Sequence, residues 1–233
     1  LKNPKCAFLF FVSNYGLASK RNEAYNASVR LGKALSRTLD GDSFEDFLSS
    51  RDSEALWQSY VEVSAEEGKN SKGNVDRTLL IDAAELAFDI AEEHGHGNIV
   101  AWIRDEIAET RRCESAFTRL VEVRTFGPKA ASAALRDVVF FYELEDEIEY
   151  SDRLYLQPIN KVVRQIAKLI LPEEGDLPDW ILAGKVSKAV RLSQASGVRF
   201  SMGCNYLGYR LAPRSGGIEQ AIRLLNIEST NQA

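Results

Sequence analysis

The sequence predicts an all-α protein, and three observations carry that prediction. Apolar residues recur at helical rather than alternating spacing through nearly every segment. The breaks between segments are short and rich in turn residues, and no repeat or low-complexity run interrupts them. With 233 residues at 45% hydrophobic composition, the chain is long enough for one large domain or two small lobes around a proper core.

Each element follows from its own stretch. Cys6-Ala7-Phe8-Leu9-Phe10-Phe11-Val12 is apolar but too short to cross a bilayer, and no small-residue cleavage site follows it. We therefore expect a soluble intracellular protein, cytoplasmic or, in a eukaryote, nuclear; Leu1 in place of Met suggests a processed chain. Tyr25, Val29, Leu31, Leu35 and Leu39 fall at helical intervals and predict a helix over 21–39, closed by Asp40-Gly41-Asp42. After a second break from Gly68 to Gly73, Leu79 to Ala91 and Ile99 to Ile107 predict two more helices, parted by Gly95-His96-Gly97. Ala116, Phe117, Leu120, Val121 and Val123 give the next, and Ala131, Ala134, Leu135, Val138 and Val139 the one after it. Glu147 to Pro158 lacks clear periodicity and reads as an extended connection that delivers Asn160 to the N-cap of a helix from Lys161 to about Leu171. Pro172 to Pro178 is the last break, and helices follow it, for a total of roughly ten to twelve. Trp57, Trp102 and Trp180 are each most simply core residues, and the small and aromatic residues from Gly203 to Tyr209 suggest close helix packing.

Charge and cysteine content narrow the function classes. A formal net charge of −5 argues mildly against a nucleic-acid binder, yet it is unevenly spread. Residues 51–110 hold 5 basic and 14 acidic side chains, a net of −9, whereas 111–142 hold 6 basic and 3 acidic, a net of +3. Cys6, Cys113 and Cys204 lie too far apart for a close-spaced zinc or iron–sulfur motif, so no iron–sulfur cluster is expected. His94 and His96 flank a helix end with no third ligand in view, which reads as a C-capping loop rather than a metal site.

The stretch with most chemical content is Val123-Arg124-Thr125-Phe126-Gly127-Pro128-Lys129-Ala130-Ala131, set between two helical patterns. Gly127 leaves the turn free of a Cβ, and Pro128 suits a first helical position. The unpaired first-turn N–H groups of the second helix would then face outward and attract a phosphate oxygen.

This stretch resembles the hairpin of the helix-hairpin-helix DNA glycosylase superfamily, which includes endonuclease III and the 8-oxoguanine glycosylases. The family hairpin reads roughly Leu-Pro-Gly-Val-Gly-x-Lys-x-Ala; Val123, Phe126, Gly127, Lys129 and Ala131 match it in order. Pro158-Ile159-Asn160-Lys161-Val162-Val163-Arg164-Gln165-Ile166 fits the family's second mark, Pro-Val-Asp-x-x-Val-x-x-Ile. The resemblance implies a bilobal helical fold with a cleft between its lobes: residues 1–74 and 172–233 would form one lobe and 75–171 the other, the latter carrying the motif at 115–145. It places Lys129 where lyase-active relatives carry their nucleophile, Asn160 where they carry an aspartate, and a monovalent cation on the hairpin carbonyls. No other cofactor is expected.

Two departures bear on chemistry. Thr125 stands where the family has its first hairpin glycine, and its Cβ occupies space a phosphate would use. Asn160 cannot ionise, so it can neither take a proton nor offset a positive sugar. Asp152 is the nearest alternative carboxylate in the preceding connection, and Asp137, inside the second hairpin helix, reads as a structural partner of a basic group. Lys129 is either a Schiff-base nucleophile, with Arg124 and Arg136 as the cations that lower its pKa, or a phosphate-contacting lysine at a helix start. Arg124, Thr125, Phe126, Gly127, Lys161 and Arg164 are the candidate DNA contacts, with core packing the favoured reading of Phe126, and Trp180 is the candidate base pocket. Asn205 reads as a base contact or as a partner of buried backbone.

Three functions remain open at this stage. The first is a base-excision DNA glycosylase, possessing lyase activity through Lys129, that binds duplex DNA and turns a damaged base out of the stack. The second is a catalytically inactive DNA-binding relative, and the third an all-α protein-interaction domain that binds no nucleic acid. The clustering of Arg111, Arg112, Arg119, Arg124, Lys129 and Arg136 near the hairpin favours the first two; net charge favours the third.

Overall fold

The computed structural model describes residues 2–17, 24–69 and 73–223, and among them the chain is all-helical with no strand. Short polar side chains mark where half of the helices begin. Helix α1 (Pro4–Phe11) is capped by Asn3, whose side chain accepts from the Cys6 N–H, and it runs into a π-helical segment at Val12–Leu17. After α2 (Ala24–Leu39), Ser43 and Asp46 form a reciprocal capping box for α3 (Phe44–Ser50), and Asp52 caps α4 (Ser53–Glu66). Helix α5 (Gly73–His94) stops where Gly95 turns left-handed at φ 72 and its N–H bonds back to the Ala91 carbonyl. Asn98 caps α6 (Ile99–Thr110). Then come α7 (Glu114–Glu122), α8 (Pro128–Phe141), α9 (Lys161–Ile170), α10 (Asp179–Leu192), α11 (Gly197–Tyr206) and the short α12 (Ala212–Ser215).

Burial divides the helices into two hydrophobic clusters. The larger draws on α1 through α8, with Phe8, Phe11, Leu35, Phe88, Ile103 and Leu135 fully enclosed. The smaller joins α9, α10 and α11 through Ile159, Val163, Ile166, Leu182, Val186 and Cys204. Helices α1–α4 share a core with α5–α8, because apolar faces on both sides of α5 and α6 are covered, and α9 turns its single apolar stripe towards α10 and α11.

Three expectations are corrected. The segment before Asn160 is not extended: it forms 3₁₀ turns at Glu145–Glu147 and Arg153–Leu156, which need only local i→i+3 bonds and no apolar periodicity. In α2, Tyr25 and Val29 are exposed, since the inward stripe is Ala27, Leu31, Ala34 and Leu35. Trp57 and Trp102 are core residues, but Trp180 is 71% exposed. No helix among the described residues is long and apolar enough to cross a membrane.

The connection from α8 to α9 acts as a capping strap. Glu145 accepts from the amides of Gly197 (2.6 Å) and Val198 (3.2 Å) at the start of α11. Asp152 does the same for α7, accepting from Cys113 (2.7 Å) and Glu114 (3.1 Å), and Asn160 for α9, accepting from Val162 and Val163 (both 2.9 Å). One unpatterned stretch thus ties three helix starts together and satisfies donors that would otherwise be orphaned.

Candidate functional site

The turn between α7 and α8 closes with a hydrogen bond from the Phe126 N–H to the Val123 carbonyl (2.9 Å). Its third residue, Thr125, sits at φ 74, the left-handed conformation that a type II turn demands and that glycine adopts most readily. Gly127 is the N-cap of α8 and offers no side chain to it; a Cβ there would meet open space. Pro128 lacks an N–H, and the amides of Ala130 and Ala131 both bond to the Gly127 carbonyl. Among the described residues nothing takes the Lys129 N–H, and the exposed Lys129 side chain makes no ion pair.

The candidate DNA contacts of the turn part company. Phe126 is 1% exposed: its ring stacks on Phe11 at a centroid distance of 4.8 Å and meets the edge of Tyr15, so it belongs to the core and not to a DNA-facing surface. Arg124 is exposed, but its guanidinium grips Asp82 of α5 through Nε (2.9 Å) and a terminal nitrogen (2.8 Å), and its N–H adds a third bond. Burial pushes the Asp82 carboxyl up, and the Arg124 hydrogen bonds outweigh that and hold it below the usual carboxylate range.

Beside the turn lies a cleft of about 380 Å³, walled mainly by apolar surface. Lys129 comes to it from α8, Asp179 and Trp180 from the first turn of α10, and Phe117 and Tyr155 as a contacting pair, their ring centroids 4.7 Å apart. Gln157 lies in the wall; its Nε2 donates to the Gly197 carbonyl at 3.2 Å, while its Oε1 has no hydrogen-bond partner among the described residues. Sequence reasoning placed Lys129 and Trp180 in one site, and the fold brings them to this cleft. It missed Asp179, Tyr155 and Gln157; the signal for Asp179 was its place after Pro178, where an acidic first turn opens a helix.

The remaining candidates are elsewhere or otherwise engaged. Asn160 does not line the cleft: its oxygen caps α9 and its Nδ2 donates to the Asn205 side chain at 2.7 Å. Asp152 is 2% exposed, with one oxygen on the α7 amides and the other 3.5 Å from the Arg112 guanidinium. That placement makes it a cap for α7 and leaves no free carboxylate edge for the cleft. Arg164 bonds the carbonyls of Gly175 (2.6 Å) and Leu177 (2.9 Å) and pairs with Asp179, so it pins the loop before α10 instead of facing outward. Lys161 is exposed on a different hollow, beside Gln165 and Gly216. Asp137 binds Arg136 (2.7 Å) and accepts from the Tyr15 hydroxyl (2.7 Å), as a structural partner should.

Electrostatically the hairpin surroundings are quieter than the sequence implied. Arg119 pairs with Glu93, Arg124 with Asp82, Arg136 with Asp137 and Arg112 with Glu114, and Arg111 bonds the Glu147 carbonyl. Arg124 and Arg136, expected as cations beside Lys129, are thus spent on their own carboxylates. The buried thiols of Cys113 and Cys204 are pushed up to about 12, the first by burial and then by Asp152, the second by burial. Among the described residues no three His, Cys, Asp or Glu side chains gather as a metal-binding group.

Fold and cleft therefore define the class only as an all-helical protein with an apolar, lysine-bearing groove. Comparison with protein-family models, with curated proteins and with solved structures gave no match.

Proposed function

We propose that the chain is a DNA-binding protein of the helix-hairpin-helix glycosylase type, with α7, the 123–127 turn and α8 as its hairpin and a bilobal arrangement around the cleft. In this reading the Lys129 amide and the open start of α8 receive a phosphate of duplex DNA, and the cleft receives a base or sugar turned out of the stack. Lys129 is the nucleophile of a base-excision glycosylase with lyase activity, and the exposed Trp180 is the platform for the base. One observation carries the reading: Lys129 and Trp180, distant in sequence, line the same apolar cleft. A large aromatic left 71% exposed beside an unpaired lysine is costly surface to leave uncovered, and an aromatic ring with an anionic backbone would cover both. No cofactor is needed.

A second reading, a DNA binder without catalysis, is favoured by the commitment of Asn160 and Asp152 to capping. The two are separated by binding and trapping together. Fluorescence anisotropy with a duplex bearing an abasic analogue tests binding, with Lys129→Ala and Trp180→Ala each expected to weaken it. Borohydride trapping on a natural abasic duplex tests chemistry. Binding without trapping supports the second reading; no binding to duplex at low salt sinks both and favours a protein-interaction domain.

A further inference from the structure

The family frame has an asparagine where an acid is expected, yet the cleft does hold a carboxylate. Among the described residues that line it, Asp179 is the sole acid and Lys129 the sole cation. Asp179 is also held in place. It stands in the first turn of α10, whose N-cap, Pro178, supplies no side-chain bond. Arg164 pairs with its Oδ1, and Arg164 is itself fixed by the Gly175 and Leu177 carbonyls. Its second oxygen, Oδ2, takes no hydrogen bond from any described residue, so one edge of an anchored carboxylate is open. Asp152 has no such edge, and Asn160 has no charge.

We infer that Asp179 is the catalytic carboxylate of this cleft, acting with Lys129 from α10 rather than from the start of α9. The inference rests on the glycosylase reading above. Its chemistry is clearest on an abasic deoxyribose in the open aldehyde form. The Lys129 Nζ lone pair forms a bond to C1′, and the carbonyl π pair moves to oxygen, which takes one proton from solvent. The nitrogen gives a proton to Asp179; that proton then passes to the hydroxyl, which departs as water while the nitrogen pair closes the C=N bond. The Asp179 carboxylate is regenerated beside a positively charged iminium, which its charge offsets. Borohydride delivers a hydride to C1′ and freezes the adduct.

The test uses the full chain with a duplex carrying one natural abasic site, and measures anisotropy and the initial rate of trapping. Asp179→Asn should slow trapping by roughly 10²- to 10⁴-fold, the usual worth of a positioned acid–base group, with duplex affinity within about threefold of the unsubstituted protein. Asp179→Glu, which restores the charge one methylene further out, should recover part of the rate. Lys129→Ala should trap nothing. If trapping depends on Lys129 but proceeds at full rate in Asp179→Asn, the assignment of Asp179 is overturned and the glycosylase reading stands. If the unsubstituted protein binds but traps nothing, the assignment and the catalytic reading fall together. If it does not bind, the DNA reading itself is lost.

Discussion

Thr125 shows how one residue can be both legible and misread. Its turn was visible in the sequence, but its positive φ and the cost of that φ are structural facts: a β-branched side chain at φ 74 crowds its own backbone. Such strain is worth of order 1–3 kcal/mol, and glycine surrenders about 0.5–1 kcal/mol of it through a freer unfolded chain. Thr125→Gly is therefore expected to stabilise the protein by about 1 kcal/mol, read as a higher urea midpoint at unchanged slope. An unchanged or lower midpoint would mean that Thr125 is not strained. Asn160 makes the opposite case. Its single oxygen holds two α9 amides and its Nδ2 holds Asn205, so Asn160→Ala should cost about 1 kcal/mol for the cap, and more if Asn205 is left unpaired. A change within 0.3 kcal/mol, a few tenths at most on the scale of cap substitutions, would show that solvent replaces the cap at no loss.

At the scale of elements, helices were legible wherever a stripe of apolar residues faced one way, and one cap was read in advance, Asn160; Ser43 and Asn98 cap their helices in the same way without having been singled out. The strap between α8 and α9 was not legible, because Glu145 and Asp152 cap helices about 50 and 40 residues away in sequence, and no local pattern encodes such a partner. The same holds for the cleft. Lys129 and Trp180 could be named from motif and position, but Asp179 enters only because α10 and α8 both pack on the Arg153–Leu156 turn, and Arg124 loses its freedom only because α5 presents Asp82. The Asp82–Arg124 link joins α5 to the hairpin and has a pH signature. Because the folded carboxyl sits below its ordinary 3.8, the link contributes stability that is complete above that value and is lost as pH falls through the lower, folded one. Arg124→Ala should thus be destabilising near neutrality and converge on the unsubstituted protein in acid, in denaturant titrations from pH 7 downwards. A deficit that stays constant with pH would assign the effect to packing.

For the whole molecule, the question is how a chain with net charge −5 could bind a polyanion. Duplex affinity depends on how many phosphates meet free cations, each contact contributing about −0.9 to the slope of log K against log salt. The five arginines around the hairpin are all engaged, four with carboxylates and Arg111 with a backbone carbonyl, and Lys129 is the cation left unpaired at the turn. A shallow slope follows, on the order of one or two contacts. Asp82 is the sharpest lever on it, since its carboxylate occupies the guanidinium nearest the turn, which on the DNA-binding reading a phosphate would have to take from it. Asp82→Asn removes that competition while leaving an amide oxygen to hold the Arg124 N–H, so the hairpin keeps its backbone anchor. We expect Asp82→Asn to bind duplex DNA more tightly at low salt and to steepen the slope by about one contact, with Asp82→Asn/Arg124→Ala returning to the original value. Weaker binding in Asp82→Asn would mean that the ion pair presets the hairpin for DNA and does not compete with it. Salt slopes indistinguishable across all three proteins would remove Arg124 from the interface altogether.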